Sequence, residues 1–225
     1  MKHFSMGFRA ILPIISGIIP FGAIVGSSFA EAKLSFWQAL YMNTAVYAGA
    51  AQLATTALMT QKAATFVVIG TGLIINLRFL LYSAAMAPAL QGSRFLTKFL
   101  CAYTLTDQSY ATMMANQKKI STHSEAVAFY LGTAACMFLT WQSSVVAGFV
   151  FGNFAPTSWS LDFAVPLSFL SLVIPTLRNR TYVTVALFSS VSSLVLYDLP
   201  LKTGLMATAL LSMALAAYLI RRRSG

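Results

Sequence analysis

The fold class this sequence predicts is all-α: a polytopic helical bundle embedded in a membrane, with about eight spans and some irregular or broken helices. Three observations predict it. Of 225 residues, 58% are hydrophobic, and the mean hydropathy is +0.74. Only 9% are charged, against about a quarter in an ordinary soluble domain, too few to cover a soluble surface of this size. The apolar residues fall into runs close to the roughly 20 residues a membrane helix needs, with short basic patches between them. Such apolar content also excludes disorder. Eight spans of about 20 residues leave about 65 for turns and termini. Residues 1–225 therefore read as one membrane domain, with no room for a separate soluble catalytic or nucleotide-binding domain.

The elements follow in order. Lys2 and Arg9, the apolar run behind them and small residues at Ser28 and Ala30 imitate a signal peptide. The run continues too far and further spans follow at once, so the expectation is an uncleaved first helix over roughly residues 10–30. Within it, Gly17-Ile18-Ile19-Pro20-Phe21-Gly22 places a proline between glycines. Proline removes a backbone donor and crowds the preceding turn. Pro20 therefore predicts either a broken helix lining a site or an ordinary kink. Further spans are expected over roughly 36–59, 64–88, 95–116, 126–151, 161–177, 181–197 and 201–220. Pro166 in the sixth is a second irregular candidate. The segment 95–116 is the weak one, since it carries Thr104, Thr106, Asp107, Gln108 and Ser109.

Charge bears on that segment. The net charge is +10, which in a soluble protein would point to nucleic acid; here no nucleic acid partner is expected, because the charges sit between apolar runs. If 95–116 crosses, one side carries Lys2, Arg9, Lys62, Lys118, Lys119, Arg178, Arg180, Arg221, Arg222 and Arg223, and the other Lys33, Arg94, Lys98 and Lys202. Cytoplasmic loops collect Lys and Arg, so eight crossings with both termini cytoplasmic are expected. Trp37, Trp159, Tyr182, Tyr197 and Tyr218 fall near span ends, where aromatic belts form.

Chemistry at membrane depth falls to the ionisable residues, which are costly there. Arg78 lies in Ile74-Ile75-Asn76-Leu77-Arg78-Phe79-Leu80, on one helical face with Thr71 and Tyr82. It fits a clamp for a substrate carboxylate or the partner of a structural carboxylate. Asp107 shares a face with Tyr103, Tyr110 and Met114. It fits a proton carrier, an acceptor for a substrate ammonium, or the structural partner of Arg78. Gln52 stands out from a small-and-polar stripe of Ala45, Gly49 and Thr56; such stripes, like the serines at 189, 190, 192 and 193 and the Gly148 and Gly152 region, ordinarily pack helices. Glu31, Glu125 and Asp198 lie near span ends, and Asp162 at the start of the sixth span. Cys101 and Cys136 form no CxxC pair and read as buried structural thiols.

Enzyme classes are tested by what is missing. His3 and His123 are the two histidines, both outside the spans. There is no HExxH, no G-x-S-x-G elbow, no Walker A motif and no TVGYG filter. The residues predict neither an enzyme nor a metal or organic cofactor, but a small secondary transporter or pore component.

Ile19-Pro20-Phe21-Gly22 with Gly26, Tyr47-Ala48-Gly49-Ala50-Ala51-Gln52, Asn76-Leu77-Arg78-Phe79-Leu80-Leu81-Tyr82, Leu105-Thr106-Asp107 and Leu161-Asp162-Phe163-Ala164-Val165-Pro166 form an ordered set. The set resembles the AzlC-type branched-chain amino acid permease family, which includes the large subunit of bacterial valine exporters. The resemblance covers nearly the whole chain. It implies export of branched-chain and related hydrophobic amino acids across a bacterial inner membrane, together with a small AzlD-type membrane subunit. It maps the family's arginine onto Arg78 and its aspartate onto Asp107. The sequence departs from the pattern at Phe79, where histidine is frequent, and at Gln108, where glutamate is usual. The residues expected to carry substrate binding or coupling are thus Arg78, Asp107, Gln52, Asn76, Pro20, Gly22 and Tyr82. The alternatives are a scaffold subunit of a two-component membrane complex and a transporter of another small carboxylate or zwitterion.

Overall fold

The structure is a computed structural model that describes residues 2–152, 177, 179–199 and 204–224. The sixth expected span, with Trp159, Asp162 and Pro166, and Arg178 lie outside the described residues. Among the described residues the regular elements are all helical. They are α1 (Lys2–Glu31), α2 (Phe36–Ala45), α3 (Gly49–Thr60), α4 (Thr65–Asn76), α5 (Arg78–Met86), α6 (Phe95–Tyr103), α7 (Asp107–Asn116), α8 (His123–Phe151), α9 (Arg180–Val195) and α10 (Gly204–Ser224), with short 3-10 turns at Ala87–Leu90 and Gln117–Lys119. Three stretches among them are long and apolar enough to cross a membrane: Lys2–Glu31, Thr65–Leu90 and His123–Phe151. Large apolar side chains such as Leu73, Leu80, Leu81 and Phe95 point outward, as expected where lipid is the solvent. The chain divides into two compact units, Met1–Gln52 with Asn76–Ala155, and Leu53–Ile75 with Pro156–Gly225.

The first unit is built on α1 and α8. Ile11, Ile18, Phe21, Val25 and Phe29 of α1 are buried, the spacing of one helical face. Glycines let the backbones touch: a side chain on Gly7 would strike the Phe129 carbonyl, on Gly26 the Val145 carbonyl, on Gly132 the Phe4 carbonyl, and on Gly148 the Ala23 carbonyl. Small residues at such crossings are how membrane helices associate without a hydrophobic driving force. The pairs also set direction. Phe4 meets Gly132, Gly7 meets Phe129, Ala23 meets Gly148 and Ser27 meets Gly152, so α1 and α8 run parallel. The Phe4/Gly132 and Gly7/Phe129 contacts are reciprocal, the mark of a local two-fold relation. At the heads of the two helices His3 Nε2 lies 3.4 Å from Glu125 Oε1.

This packing bears on the two alternatives at Pro20. α1 is one helix, with Pro13 and Pro20 inside it. Pro20 is on the exposed side, and Gly22 is a packing residue whose missing side chain makes room for Ser144. The long glycine-mediated contact with α8 holds the helix through the lost hydrogen bond.

The interruptions fall elsewhere. The expected span 36–59 is split into α2 and α3 at Val46–Ala48, 64–88 is interrupted at Leu77, and 95–116 is split into α6 and α7. Thr106 is extended (φ −133°, ψ 163°) and caps α7, its hydroxyl accepting from the Ser109 N–H while Ser109 returns a bond to the Thr106 N–H. At nine and ten residues, α6 and α7 are each about 15 Å long, half a bilayer core.

The segment 95–116 therefore does not cross as one span. α6 starts at the head of α8, where Ser93 Oγ is 2.9 Å from His123 Nε2. It ends in the middle of the unit, where Tyr103 packs on Phe138 at 6.2 Å. α7 then returns: Met113 joins the buried cluster of Ala126, Phe129 and Tyr130, with Met6 and Ala10 of α1 against it. The few residues between Asn116 and Thr122 reach about 20 Å at most, too short to come back from the far end of α8. α6 and α7 form a hairpin that enters and leaves on the side of the α8 head. Irregular or broken helices are thus present among the described residues. The basic residues regroup as a result. In the first unit Lys2, Arg9, Arg94, Lys98, Lys118 and Lys119 gather at that head, and Lys33 lies at the far end of α1.

In the second unit, Thr55 of α3 lies where a side chain on Gly72 of α4 would sit, and α9 packs on α10, Leu196 beside Gly204. The serines of α9 turn back on their own helix, Ser190 to the Ala186 carbonyl at 2.9 Å and Ser193 to the Ser190 carbonyl at 3.3 Å.

Candidate functional site

Half-helices that stop at membrane depth leave carbonyls and N–H groups without water. In the first unit those groups are met by side chains. The Met42 carbonyl near the end of α2 accepts from Gln52 Nε2 at 3.4 Å, the Asn43 carbonyl from Gln142 Nε2 at 3.3 Å, and the Thr44 carbonyl from the Tyr103 hydroxyl at 2.6 Å. The Asn43 side chain holds this network together. Its Oδ1 accepts from Trp141 Nε1 at 3.0 Å and Gln52 Nε2 at 3.2 Å, and its Nδ2 donates to Gln142 Oε1 at 2.6 Å. At the end of α6 the Cys101 carbonyl accepts from the Tyr130 hydroxyl at 2.9 Å, and the Leu100 carbonyl from Thr104 Oγ1 at 2.7 Å. Gln52, fully buried, belongs to this helix-ending network. Asn43, Gln142 and Tyr130 are missed by the sequence reading. A pair of amides inside apolar runs was their signal.

Two half-helix starts meet at the ion pair. Arg78 opens α5 and Asp107 opens α7, and Arg78 Nη1 lies 2.7 Å from Asp107 Oδ2. One turn further on, the Tyr82 and Tyr110 rings stack at 4.5 Å with 14° between planes. Two such rungs make α5 and α7 parallel neighbours with their N-termini level. Tyr82 senses both members of the pair electrostatically, and the guanidinium sits 5.1 Å from the Phe79 ring centre, in cation–π range.

The electrostatics are uneven. A helix N-terminus carries about half a positive charge, which favours Asp107 where it stands and does nothing for Arg78. α4 ends at Asn76 just before α5 and α6 at Tyr103 just before α7, so negative C-terminal ends lie beside the positive starts and the local charge rests on Arg78 and Asp107. The pair is also incompletely engaged. Arg78 Nε and Asp107 Oδ1 are buried atoms without a hydrogen-bond partner, as is Asn76 Oδ1 at the end of α4. Each charged side chain is about one-third exposed, 32% and 34%. The neighbouring wall is apolar and rich in methionine, with Met86 and Met113 buried beside Leu105 and Tyr130.

The structure thus brings Arg78, Asp107 and Tyr82 together, leaves Asn76 two residues from Arg78, and places Gln52 in the helix-ending network and Pro20 and Gly22 on the α1–α8 packing helix. Cys101 and Cys136 are buried free thiols. Among the described residues no group of three His, Cys, Asp or Glu side chains gathers as a metal site.

Comparison with known proteins places this geometry. The AzlC protein family matches residues 13–155. The chain is similar to an uncharacterized membrane protein of Helicobacter pylori (strain ATCC 700392 / 26695), 22% identical over 99% of this chain and 97% of the relative. It is 22% identical to inner membrane protein YgaZ of Escherichia coli K12, over 88% of this chain and 83% of the relative. An uncharacterized membrane protein of Archaeoglobus fulgidus is 26% identical over 96% of this chain and 94% of its own length. No solved structure matches the chain.

Proposed function

The chain belongs to the AzlC protein family, and from that premise we propose that it is a gradient-driven transporter subunit, not an enzyme, that exports branched-chain or related hydrophobic amino acids. The observation that carries the reading is the Arg78–Asp107 pair at the level N-termini of two half-helices. Half-helix ends pointing at a midplane site are how many transporters hold charged substrate groups.

A zwitterionic amino acid needs a cation for its carboxylate and an acceptor for its ammonium. Arg78 supplies the first. Asp107 supplies the second once its guanidinium partner is taken. The Phe79, Tyr82 and methionine surroundings supply an adaptable apolar wall. One methylene in such a pocket is worth about 1–3 kcal/mol, so broad selectivity among valine, leucine, isoleucine and methionine follows.

The inner-membrane name of the Escherichia coli relative and the basic cluster at the α8 head support a bacterial inner membrane with that head in the cytoplasm. Arg221, Arg222 and Arg223 support a cytoplasmic C-terminus as well. Family resemblance supports a small AzlD-type membrane subunit as partner. The test is to feed leucine- or valine-containing dipeptides to cells lacking the gene and any redundant exporter. Internal amino acid should accumulate; undiminished efflux would overturn the reading. Transport unaffected by Arg78→Ala, in protein shown to fold, would remove Arg78 from the site.

A further inference from the structure

We infer that the Arg78–Asp107 pair selects ligands by net charge: the intact site takes a molecule that carries both an ammonium and a carboxylate, and neutralising one partner redirects it to the matching monoion. The inference rests on the transport reading above and goes beyond it, because it predicts which charge class of ligand the site takes when either residue is neutralised.

Charge balance at membrane depth decides what the site takes. With no ligand, the guanidinium and carboxylate neutralise each other across 2.7 Å. A zwitterion can replace that contact with two others, its carboxylate on Arg78 and its ammonium on Asp107, without changing the total charge. A monocarboxylate takes Arg78 but strands Asp107, and a monoamine takes Asp107 but strands Arg78. A stranded charge at membrane depth is expensive. The partnerless Arg78 Nε and Asp107 Oδ1 are the donor and acceptor already placed for such an exchange. Among the described residues the other ion pair, His3 with Glu125, is at the α8 head, so it supplies no compensating charge here.

The two variants test the two halves of the balance. In Asp107→Asn, Arg78 stands without an anion, so a monocarboxylate should be favoured. In Arg78→Gln, Asp107 stands without a cation, so a monoamine should be favoured.

The experiment measures binding to the purified full chain in lipid nanodiscs, with leucine, 4-methylpentanoate and 3-methylbutylamine as probes: one side chain, three charge states. The unaltered chain should prefer leucine to either monoion by about tenfold or more, the factor for roughly 1.4 kcal/mol. Asp107→Asn should invert the leucine-to-4-methylpentanoate preference, and Arg78→Gln should invert the leucine-to-3-methylbutylamine preference. Leucine binding with equal 4-methylpentanoate binding in the unaltered chain overturns this inference alone, and needs no variant to fold. An unchanged preference order in folded Asp107→Asn does the same. No binding of any probe by the unaltered chain overturns the amino acid reading and this inference with it.

Discussion

The Tyr103 hydroxyl donates to the Thr44 carbonyl across 2.6 Å, so a side chain from the end of α6 satisfies the backbone at the end of α2. Tyr103→Phe keeps the ring contacts with Tyr47 and Phe138 and leaves that carbonyl unmet. The expected cost is about 1–3 kcal/mol, read as a lower SDS midpoint for unfolding of the purified protein. An unchanged midpoint would show that water reaches the carbonyl.

Asn43 makes more of the network than any of its neighbours, since both ends of its amide and its carbonyl are engaged. Asn43→Leu strands the Trp141 N–H and Gln142 Oε1 and removes one of the two acceptors of Gln52 Nε2. It should destabilise more than Gln142→Leu in the same titration, by about 1 kcal/mol or more. Equal losses would mean that the amides act independently.

Glycine substitutions along α1 separate packing from propensity. A side chain on Gly26 would run into backbone atoms of Val145 and Phe149, whereas Gly17 has nothing within 4 Å. Gly26→Val should lose folded protein on expression, from overpacking of about 1–3 kcal/mol. Gly17→Ala should hold or gain about 0.5–1 kcal/mol. Similar behaviour of the two variants would refute the close α1–α8 contact.

Lys33 and Lys62 adopt left-handed backbones at φ 58° and 55°. They end α1 and α3 with the bonds of a Schellman turn, Leu34 N–H to the Phe29 carbonyl and Ala63 N–H to the Leu58 carbonyl. Glycine bears that conformation without the roughly 1–2 kcal/mol penalty of a side chain. Lys62→Gly should therefore raise the thermal midpoint, and a fall would place the lysine charge above the backbone term.

At the water-exposed head of α8, ahead of its apolar stretch, Glu125 accepts from the Ser121 and Thr122 N–H groups at 3.0 and 3.3 Å. The Ser121 bond leads the causes that hold its carboxyl below the usual 4.5. A depressed acid stabilises the fold above its usual value, and that contribution fades as pH falls through the folded-state value. Hydrogen exchange at residues 121–125 should accelerate on acidification below the ordinary carboxylate range, and Glu125→Gln should show the faster exchange at neutral pH too. Exchange that ignores both changes would deny Glu125 a capping role.

The sequence displays the helical class and the Arg78–Asp107 partnership because both follow from cost. Long apolar runs have few alternatives, and two charges at depth seek each other. At Pro20 it leaves break and kink open because proline signals a lost hydrogen bond but not whether a neighbour holds the helix regardless; Gly7, Gly26, Gly132 and Gly148 do. It hides the break at Val46–Ala48 because those residues are ordinary in an apolar run, and at Thr104–Thr106 the polar residues weaken the span without showing that it turns back. What permits each break is remote in sequence: Gln142 for Asn43, Tyr103 for Thr44, Tyr130 for Cys101. The legible local sign is Thr106 three residues before Ser109, a cap inside what reads as a span. Hydropathy counts apolar residues and does not register direction, so the hairpin return of α7 and the regrouping of Arg94 and Lys98 needed the contacts themselves.

Ser27 and its acceptor, the Gly148 carbonyl, lie 121 residues apart, which makes the α1–α8 seam a matter of timing as well as packing. A ribosome adding about 5–20 residues per second takes roughly 6–24 s to travel that distance. Throughout that interval α1 sits in the bilayer with its glycine face against lipid, and in its last part the hairpin of α6 and α7 waits for the side chains of α8 that will cap it. The newborn protein is therefore most vulnerable to membrane proteases and wrong helix partners just before α8 emerges, and chains truncated ahead of His123 should be cleared even though every earlier helix is complete.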